Sequence, residues 1–233
     1  MTQFYVPSID AGIPADEAHH IVNVRRFKKD DVIKIFDGAG RSARVRIKNI
    51  LKNPARVETS LLESHVEQPP EKEIRLFLSV IKSPALKIAV QKCTELGVTR
   101  ISPLRTERSA RQTVNREQLK KIIVNACCQC GRQFLPSLDE VSNFLIGIKE
   151  YSQERGTGFI LLEGRGPLKI RKKTQKIAIF AGPEGGFTDS EIDSAEKAGL
   201  VPVSVGDNTL RSETASIAAL VLTGTEQNLF QEG

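Results

Sequence analysis

Residues 177–187 read IAIFAGPEGGF, a short apolar run followed directly by a loop that contains three glycines. The run IAIFA, residues 177–181, is continuous rather than alternating, which predicts a strand buried on both faces of a sheet. The glycines at positions 182, 185 and 186 allow sharp turns and a close approach of the backbone to a ligand. Because open α/β sheets bind ligands at the carboxyl ends of their strands, this stretch predicts a binding loop.

The chain on both sides of this stretch alternates apolar strand patterns with helical patterns. Further strands are predicted at residues 74–81, 98–104, 159–162 and 201–205, and helices at 83–96, 116–130, 188–198 and 213–223. Helix ends are marked by Ser83 as N-cap before Pro84, by Gly97 and Gly199 after the helices, and by a capping box of Thr188 and Glu191. Strands that alternate with helices predict the α/β class with a mostly parallel sheet.

The first 68 residues have a different pattern. Short strands are predicted at residues 31–36, 43–50 and 56–62, and one short helix at 16–24, where His19 and His20 are interpreted as packing residues. In the segment 43–50, Val45 and Ile47 point one way, and a row of cations (Arg44, Arg46 and Lys48) points the other way. The pattern indicates a small β-barrel-like domain with a cationic face. A polar, proline-bearing linker at 68–72 divides domain 1–68 from domain 73–233.

Charge is spread unevenly along the chain. The formal net charge is +6 and the pI is about 9.2. Residues 25–56 hold 11 Lys/Arg against 3 Asp/Glu, a local charge of +8, whereas residues 177–233 hold 2 against 9, a local charge of −7. Basic segments favour a polyanionic partner for one part of the molecule, with solvated surface as the alternative. Aromatic residues make up only 5% with no Trp, so an aromatic platform for base stacking is not predicted.

Targeting features and metal sites are absent from the sequence pattern. No apolar stretch approaches the roughly 18–20 residues of a membrane span, and the first ten residues lack the features of a signal peptide. These observations predict a cytoplasmic protein without membrane contact. The four cysteines, Cys93, Cys127, Cys128 and Cys130, suit neither a disulfide framework nor a zinc site, and reduced structural thiols are predicted. No metal is predicted.

Two more loops are candidates beside residues 182–187. GDNTLRSET at residues 206–214 leads polar residues and one arginine into a helix start, and EGRGP at 163–167 follows a predicted strand. The dinucleotide fingerprint and the phosphate-loop pattern are both absent, so a nucleotide phosphate is not the predicted ligand. A small-molecule site is predicted, with ordinary turns between strands and helices as the alternative.

GPEGGF at residues 182–187 and LRSETA at 210–215 resemble the signature of the RsmE family. These are 16S rRNA uridine-N3 methyltransferases of the SPOUT, or knotted, class. Shorter matches at 19–26, 92–98, 107–109 and 126–132 extend the resemblance in order over nearly the whole chain. Arg25, Cys128 and Ser212 depart from the residues usual in the family, and Cys128 puts a role for that acidic position in doubt.

The resemblance implies a PUA-like N-terminal RNA-binding domain, a trefoil-knotted C-terminal domain and a homodimer. It implies S-adenosylmethionine-dependent methylation of N3 of the uridine called 1498 in 16S rRNA, with free rRNA or the assembled small subunit as substrate. The cofactor is expected on the knot loops: Leu162, Glu163, Gly182, Pro183, Glu184, Gly185, Gly186, Val205, Gly206, Leu210, Arg211 and Thr214.

Uridine N3 is a weak nucleophile until its proton leaves, so the reaction needs a base and a cation that stabilises the anion. Arg211 and Arg132 are the candidate cations, with a salt bridge to Glu213 or plain exposure as alternatives. Glu184 and Glu95 are the candidate bases, although Glu184 alternatively fixes the loop and Glu95 alternatively pairs with Lys92. Phosphate contacts, which position RNA rather than read its sequence, are expected from Arg25, Arg26, Arg44, Arg46, Lys82, Lys92 and Arg108.

Two other functions are compatible with these residues. One is a SPOUT methyltransferase that acts on another RNA or on the ribose 2′-OH. The other is a non-catalytic RNA-binding adaptor that keeps the knot as a dimer module. Glycines at positions 182, 185 and 206 argue against the adaptor, which does not need cofactor loops.

Overall fold

The computed structural model describes residues 3–52, 54–154, 156–170 and 174–226. Its internal contacts divide the chain into two compact units. The first comprises Met1–Pro70 and Val124–Leu135, and the second comprises Glu71–Ile123 and Pro136–Gly233. The predicted domain boundaries, 1–68 and 73–233, stay a prediction.

The first unit is built on a four-stranded sheet. Its elements are β1 (Gln3–Tyr5), α1 (Ala15–His19), β2 (Val32–Phe36), β3 (Arg41–Lys52) and β4 (Ala55–Val66). The strand order is β1-β2-β3-β4; β1 pairs with β2 in parallel, and the other pairs are antiparallel. A π-helical turn at His20–Val24 continues α1, so the helix predicted at 16–24 changes its hydrogen bonding halfway along.

Strand β3 confirms the predicted alternation. Val45 and Ile47 are buried, and the cationic row Arg44, Arg46 and Lys48 is exposed. Burial of apolar side chains from β2 and β3 against Phe4 and Ile21 forms the core of this unit. The segment 124–135 is attached to it by Gln3, whose side-chain amide donates to the carbonyls of Cys127 (3.1 Å) and Arg132 (2.7 Å).

The second unit is an α/β sheet whose described pairings are all parallel, in the order β11-β9-β10-β5-β6-β7, with β8 pairing β6. Its elements in chain order are β5 (Glu73–Ser79), α2 (Ser83–Glu95), β6 (Arg100–Arg105), α3 (Arg116–Cys130), β7 (Ser137–Leu138), β8 (Ser142–Asn143), α4 (Phe144–Gln153), β9 (Thr157–Leu161), β10 (Lys176–Ala181), α5 (Asp189–Lys197), β11 (Val201–Val203) and α6 (Ser212–Glu226). The last residues of α3 are counted with the first unit.

Local signals placed most of these elements correctly. The capping box of Thr188 and Glu191 is present, and Gly97 and Gly199 follow α2 and α5 with φ of 95° and 88°. The N-cap of α2 was predicted one residue too late: Lys82 is the cap, and Ser83 is already helical. Helix α4 was not predicted; Asn143 caps it by accepting a hydrogen bond from the Ile146 N–H at 3.0 Å.

The amino ends of β5 and β6 carry a buried ion network. Arg75 on β5 is 2% exposed, and its Nη2 donates to Asp139 at 3.0 Å. The same guanidinium also pairs with Glu150 and Glu154 near the end of α4, and its Nε donates to Ser102 Oγ at 2.8 Å. The carboxyl ends of the parallel strands lie at the opposite edge of the sheet, away from this ion network. Within the described ranges no helix has the length and apolarity of a membrane-crossing segment.

Candidate functional site

A cavity of about 400 Å³ lies at the carboxyl ends of β9, β10 and β11. The loops that follow these strands form its walls, as expected for a sheet of this type. Its volume is within the range of roughly 300–1,000 Å³ that is typical of small-molecule sites. Four of the lining residues, at positions 182, 185, 186 and 206, are glycines, so backbone forms part of the wall.

The loop after β10 is folded by its glycines. Gly186 has a φ of 69°, a left-handed conformation that favours glycine, and its N–H donates to the Pro183 carbonyl at 2.9 Å. At Gly182 a Cβ would lie 2.9 Å from the Phe187 ring, so a side chain there would displace the ring. The sequence GPEGGF therefore produces a tight turn that curls back over its own start.

Helix α6 is attached to this loop at its first residue. The Ser212 hydroxyl, 6% exposed, donates to the Gly182 carbonyl at 2.6 Å. A hydroxyl serves here as a donor, and threonine, which the resemblance leads one to expect at this position, carries the same group. The departure at Ser212 thus leaves the chemistry of this contact unchanged.

Arg108, from the loop after β6, fastens the other side of the glycine-rich loop. Its Nη1 donates to the Gly185 carbonyl at 2.9 Å and to the Phe187 carbonyl at 3.4 Å. Next to it, the buried Glu191 carboxylate accepts from the Glu107 N–H at 2.9 Å and from the Thr188 N–H at 2.9 Å. Two adjacent residues after β6 therefore contact the glycine-rich loop and the first turn of α5 that follows it.

The remaining wall comes from the loops after β9 and β11. Thr209 Oγ1 donates to the Glu163 carboxylate at 3.0 Å, which joins these two loops. Ser204 Oγ donates to the Gly206 carbonyl at 2.6 Å. At Gly206 a Cβ would meet only Leu210, at 4.0 Å, so the chain itself leaves room beside this glycine.

Ten of the twelve residues predicted to bind the cofactor line this cavity: Leu162, Glu163, Gly182, Pro183, Glu184, Gly185, Gly186, Val205, Gly206 and Leu210. The other two, Arg211 and Thr214, are exposed and do not line it. Their neighbours Leu210 and Ser212 do, because the chain enters α6 here and successive side chains point in different directions. Cofactor contact by these residues stays a prediction.

The candidate catalytic residues are found in different places. Glu184 is exposed and lines the cavity. Glu95 does not line it and forms the alternative ion pair with Lys92, at 3.0 Å. Arg132 belongs to the first unit, where burial lowers its pKa, an effect opposed by the nearby Cys127, Cys130 and Glu67. Glu184 therefore lines the cavity, whereas Arg211, Arg132 and Glu95 do not.

The predicted phosphate contacts also differ in their surroundings. Arg46 is exposed, as are Arg25, Arg26 and Lys82, whereas Arg44 is paired with Glu63 at 3.1 Å on the neighbouring strand. Arg26 has a φ of 58°, an unusual backbone conformation for a residue other than glycine. Arg108, also expected to bind RNA phosphate, lines the cavity, and its phosphate contact stays a prediction.

Cys93, Cys127 and Cys128 have the properties expected of structural thiols, whereas Cys130 is exposed. All four are free thiols, and burial raises the pKa of Cys93 and of Cys127 to about 12 and that of Cys128 to about 11. Thiols with such pKa values stay protonated and unreactive at neutral pH. Within the part of the chain that the structure describes, no group of three or more metal-ligating side chains occurs.

Several side chains that line the cavity were not predicted to bind the cofactor. Ser204, Asn208, Thr209, Ser212 and Ala215 line it together with Arg108 and the apolar residues Leu161, Ala181, Phe187 and Val203. Most of them lie within or beside the three loops that the sequence marked. Arg108 is the exception, because it comes from a loop that is distant in sequence and carries no glycine pattern.

Comparison with known proteins defines the class first. The family model described as RNA methyltransferase domain matches residues 67–224, and the one described as RNA methyltransferase PUA domain matches residues 13–60. The second unit and its cavity therefore belong to an RNA methyltransferase, with a PUA domain preceding it. The expected fold, a SPOUT-type trefoil-knotted α/β sheet with a PUA-like N-terminal domain, is confirmed.

Individual relatives narrow this class to one family. The Ribosomal RNA small subunit methyltransferase E of Rickettsia conorii is 30% identical and covers 87% of this chain and 84% of its own length. That of Bacillus subtilis is 26% identical, over 89% and 87%. A crystal structure of the Neisseria gonorrhoeae enzyme bound to S-adenosyl methionine superposes with a TM-score of 0.87 and 29% identity over 97% of both chains. This chain belongs to the ribosomal RNA small subunit methyltransferase E family.

Proposed function

We propose that this protein transfers a methyl group from S-adenosylmethionine to N3 of the uridine called 1498 in 16S rRNA. The observation that carries the proposal is the cavity of glycine-rich backbone at the carboxyl ends of β9, β10 and β11, in a chain of this family. The relative from Neisseria gonorrhoeae, which was crystallised with S-adenosyl methionine, supports the choice of cofactor.

The residues present fit this cofactor. Gly206 leaves open space beside its backbone, and the cavity of about 400 Å³ is large enough for a small molecule. Leu162, Gly182, Gly185, Val205 and Leu210 would hold the cofactor mainly through main-chain groups. When bound, S-adenosylmethionine supplies an electrophilic methyl carbon on a sulfonium.

The protein has to remove the N3 proton of uridine and stabilise the resulting anion. Glu184 is the candidate base, because its exposed carboxylate lines the cavity. The ion pair with Lys92 makes Glu95 a weaker candidate. Each unit by which the pKa of N3 is lowered corresponds to about 1.4 kcal/mol of preferential stabilisation of the anion.

RNA is held by exposed cations, and the first unit supplies many of them. Arg46 and Lys48 extend outward from β3, and Arg25 and Arg26 follow the π-helical turn. Such contacts fix the position of the RNA without reading its sequence. We place the reaction in the cytoplasm, with a homodimer as the active species and 16S rRNA, free or within the small subunit, as partner.

Mass mapping of small-subunit rRNA after incubation with the protein and S-adenosylmethionine tests the proposal. A single N3-methyluridine at position 1498 is the expected product, from naked 16S rRNA or from assembled subunits used in parallel. A methyl group on a ribose 2′-OH or on another RNA would assign a different SPOUT activity. Calorimetry that detects no S-adenosylmethionine binding would support the non-catalytic adaptor.

A further inference from the structure

Among the described residues that line the cavity, Arg108 is the only lysine or arginine. The two residues expected from the sequence to stabilise a uridine anion do not have this position: Arg211 does not line the cavity, and Arg132 belongs to the first unit. The charged lining otherwise consists of the carboxylates Glu163 and Glu184. A developing negative charge in this cavity would therefore meet one fixed cation.

The side chain of Arg108 is held in place along its length. A Cβ at position 185 would lie 3.4 Å from Arg108 Cβ and Cδ, so the aliphatic part of the arginine lies across Gly185. At the tip, Nη1 donates to the carbonyls of Gly185 and Phe187. Among the described residues, Nε and Nη2 have no hydrogen-bond partner. Three N–H donors are thus presented by an anchored guanidinium.

The backbone beneath Arg108 is anchored as well. The Glu107 N–H donates to the buried Glu191 carboxylate at 2.9 Å, and the Ala110 N–H donates to the Val80 carbonyl at 2.8 Å. Ser109 closes a turn by donating from its hydroxyl to the Thr106 carbonyl at 2.7 Å. A donor that is fixed before the reaction costs no reorganisation when charge develops, which is the condition for effective electrostatic catalysis.

We propose that Arg108 is the catalytic cation that stabilises the uracil anion; this rests on the proposed function. The N3–H bond breaks and its proton passes to a base, a carboxylate or water. The electron pair left on N3 spreads onto O2 and O4, and the guanidinium N–H groups donate to one of these oxygens. The N3 pair then forms the N3–CH3 bond while the methyl–sulfur bond breaks and its pair stays on sulfur. Arginine is suited to this role because its guanidinium remains charged at any pH of interest.

Single-turnover methylation at saturating RNA and cofactor, measured from neutral to alkaline pH, tests this role. Arg108→Ala should lower the rate at neutral pH by about 10²–10³-fold, the usual cost of removing one oxyanion donor. Its rate should keep rising with pH beyond the point where the wild-type rate levels off, because hydroxide then removes the N3 proton. Added guanidinium should restore part of the rate, and Arg108→Lys should retain more than Arg108→Ala.

The matched control is Arg111→Ala, which removes another exposed arginine of the same loop, outside the cavity. Its single-turnover rate and pH profile should match those of the wild type. S-adenosylmethionine affinity, measured by calorimetry, is the readout that separates chemistry from loop positioning. If Arg108→Ala loses only this affinity, and its saturated complex reacts with the wild-type rate and pH profile, the inference is overturned.

Failure of the two proposals can be told apart. If the wild-type protein forms no N3-methyluridine, the proposed function is wrong and this inference is wrong with it. If the wild type forms N3-methyluridine and Arg108→Ala forms it at an unchanged rate, only the role of Arg108 is wrong. Should Arg108→Ala fail to fold, Arg108→Lys decides: a wild-type pH profile and rate in that variant would contradict a requirement for the guanidinium donors.

Discussion

The two ends of the parallel sheet use charge and backbone in opposite ways. At the amino ends of β5 and β6, Arg75 is almost fully buried and its donors are taken up by Ser102, Asp139, Glu150 and Glu154. At the carboxyl ends of β9, β10 and β11, glycine-rich loops leave backbone groups facing a cavity. At the amino end the charged groups are paired within the protein, whereas at the carboxyl end a cavity is open to a ligand. We call these the closed end and the open end.

Stability and ligand binding are expected to depend on opposite ends of the sheet. A buried arginine that loses its partners, or carboxylates that lose their arginine, is costly because desolvated charge is left uncompensated. Backbone groups in the cavity can be satisfied by water or by a ligand, so leaving them open carries little penalty. Substitutions at the two ends should therefore affect different measurements.

The largest effect is expected from Arg75→Ala. It removes the buried cation that three partly exposed carboxylates share, although Asp139 and Glu154 keep Arg100. The free energy of unfolding should therefore fall by about 3 kcal/mol, the lower end of the cost of breaking a buried ion pair. Denaturant titration measures this. Arg100→Ala is the control, because Arg100 is more exposed and shares Asp139 and Glu154; its effect should be clearly smaller. Equal stability of Arg75→Ala and wild type would show that the ion network at the amino ends of the strands does not stabilise the fold.

A smaller effect, on binding alone, is expected from Gly206→Ala. The chain leaves space for the new methyl group, so stability should be kept, but the methyl group would lie where a ligand approaches the backbone. S-adenosylmethionine affinity should fall by roughly tenfold, about 1.4 kcal/mol, in calorimetry. Gly166→Ala makes the same change in open space outside the cavity and should bind normally. Normal binding by Gly206→Ala would place the cofactor elsewhere.

The closed end should also be sensitive to acid. Burial raises the pKa of Asp139, but hydrogen bonds from Ser102 and Arg100 and the charges of Arg100 and Arg75 outweigh it, so the pKa lies below its usual value. The resulting stabilisation is complete above the unfolded-state pKa of about 3.9 and is lost as pH falls through the lower folded-state pKa. Denaturation curves of wild type and Asp139→Asn below about pH 4 measure it. An equally steep acid loss in both proteins would contradict this role of Asp139.

The smallest effect is expected from exposed charges that belong to neither end of the sheet. Arg46→Ala should weaken RNA binding and reduce the slope of log affinity against log salt by roughly 0.7–0.9, the value for one lost phosphate contact. Arg44→Ala should change it less, because Arg44 is already paired with Glu63. Filter binding over a salt series measures both. Turnover at saturating RNA should be unchanged, and a lower saturated rate would give these cations a part in the chemistry.

Local patterns located the elements because they report local physics. The continuous apolar run before the GPEGGF loop specified a buried strand, and the alternation along β3 specified which side chains are exposed. Two short strands could not be located in this way. The two-residue strands β7 and β8 carry little pattern of their own, and pairing with β6 determines them. Helix α4 was missed although it has a local pattern: Phe144, Ile148 and Tyr151 are buried at helical spacing, and Asn143 caps the helix.

Glycine positions and hydrophobic periodicity are local properties of the chain, so the fold class and the three loops of the cavity could be predicted without a structure. The family was indicated by the resemblance of the GPEGGF and LRSETA motifs. Which charged groups meet the three loops depends on the tertiary structure. Arg108 reaches the glycine-rich loop from 77 positions away, and Arg75 meets Glu154 across 79. Contacts of this kind depend on the order of strands in the sheet, and strand order results from packing of the whole chain rather than from any window of residues.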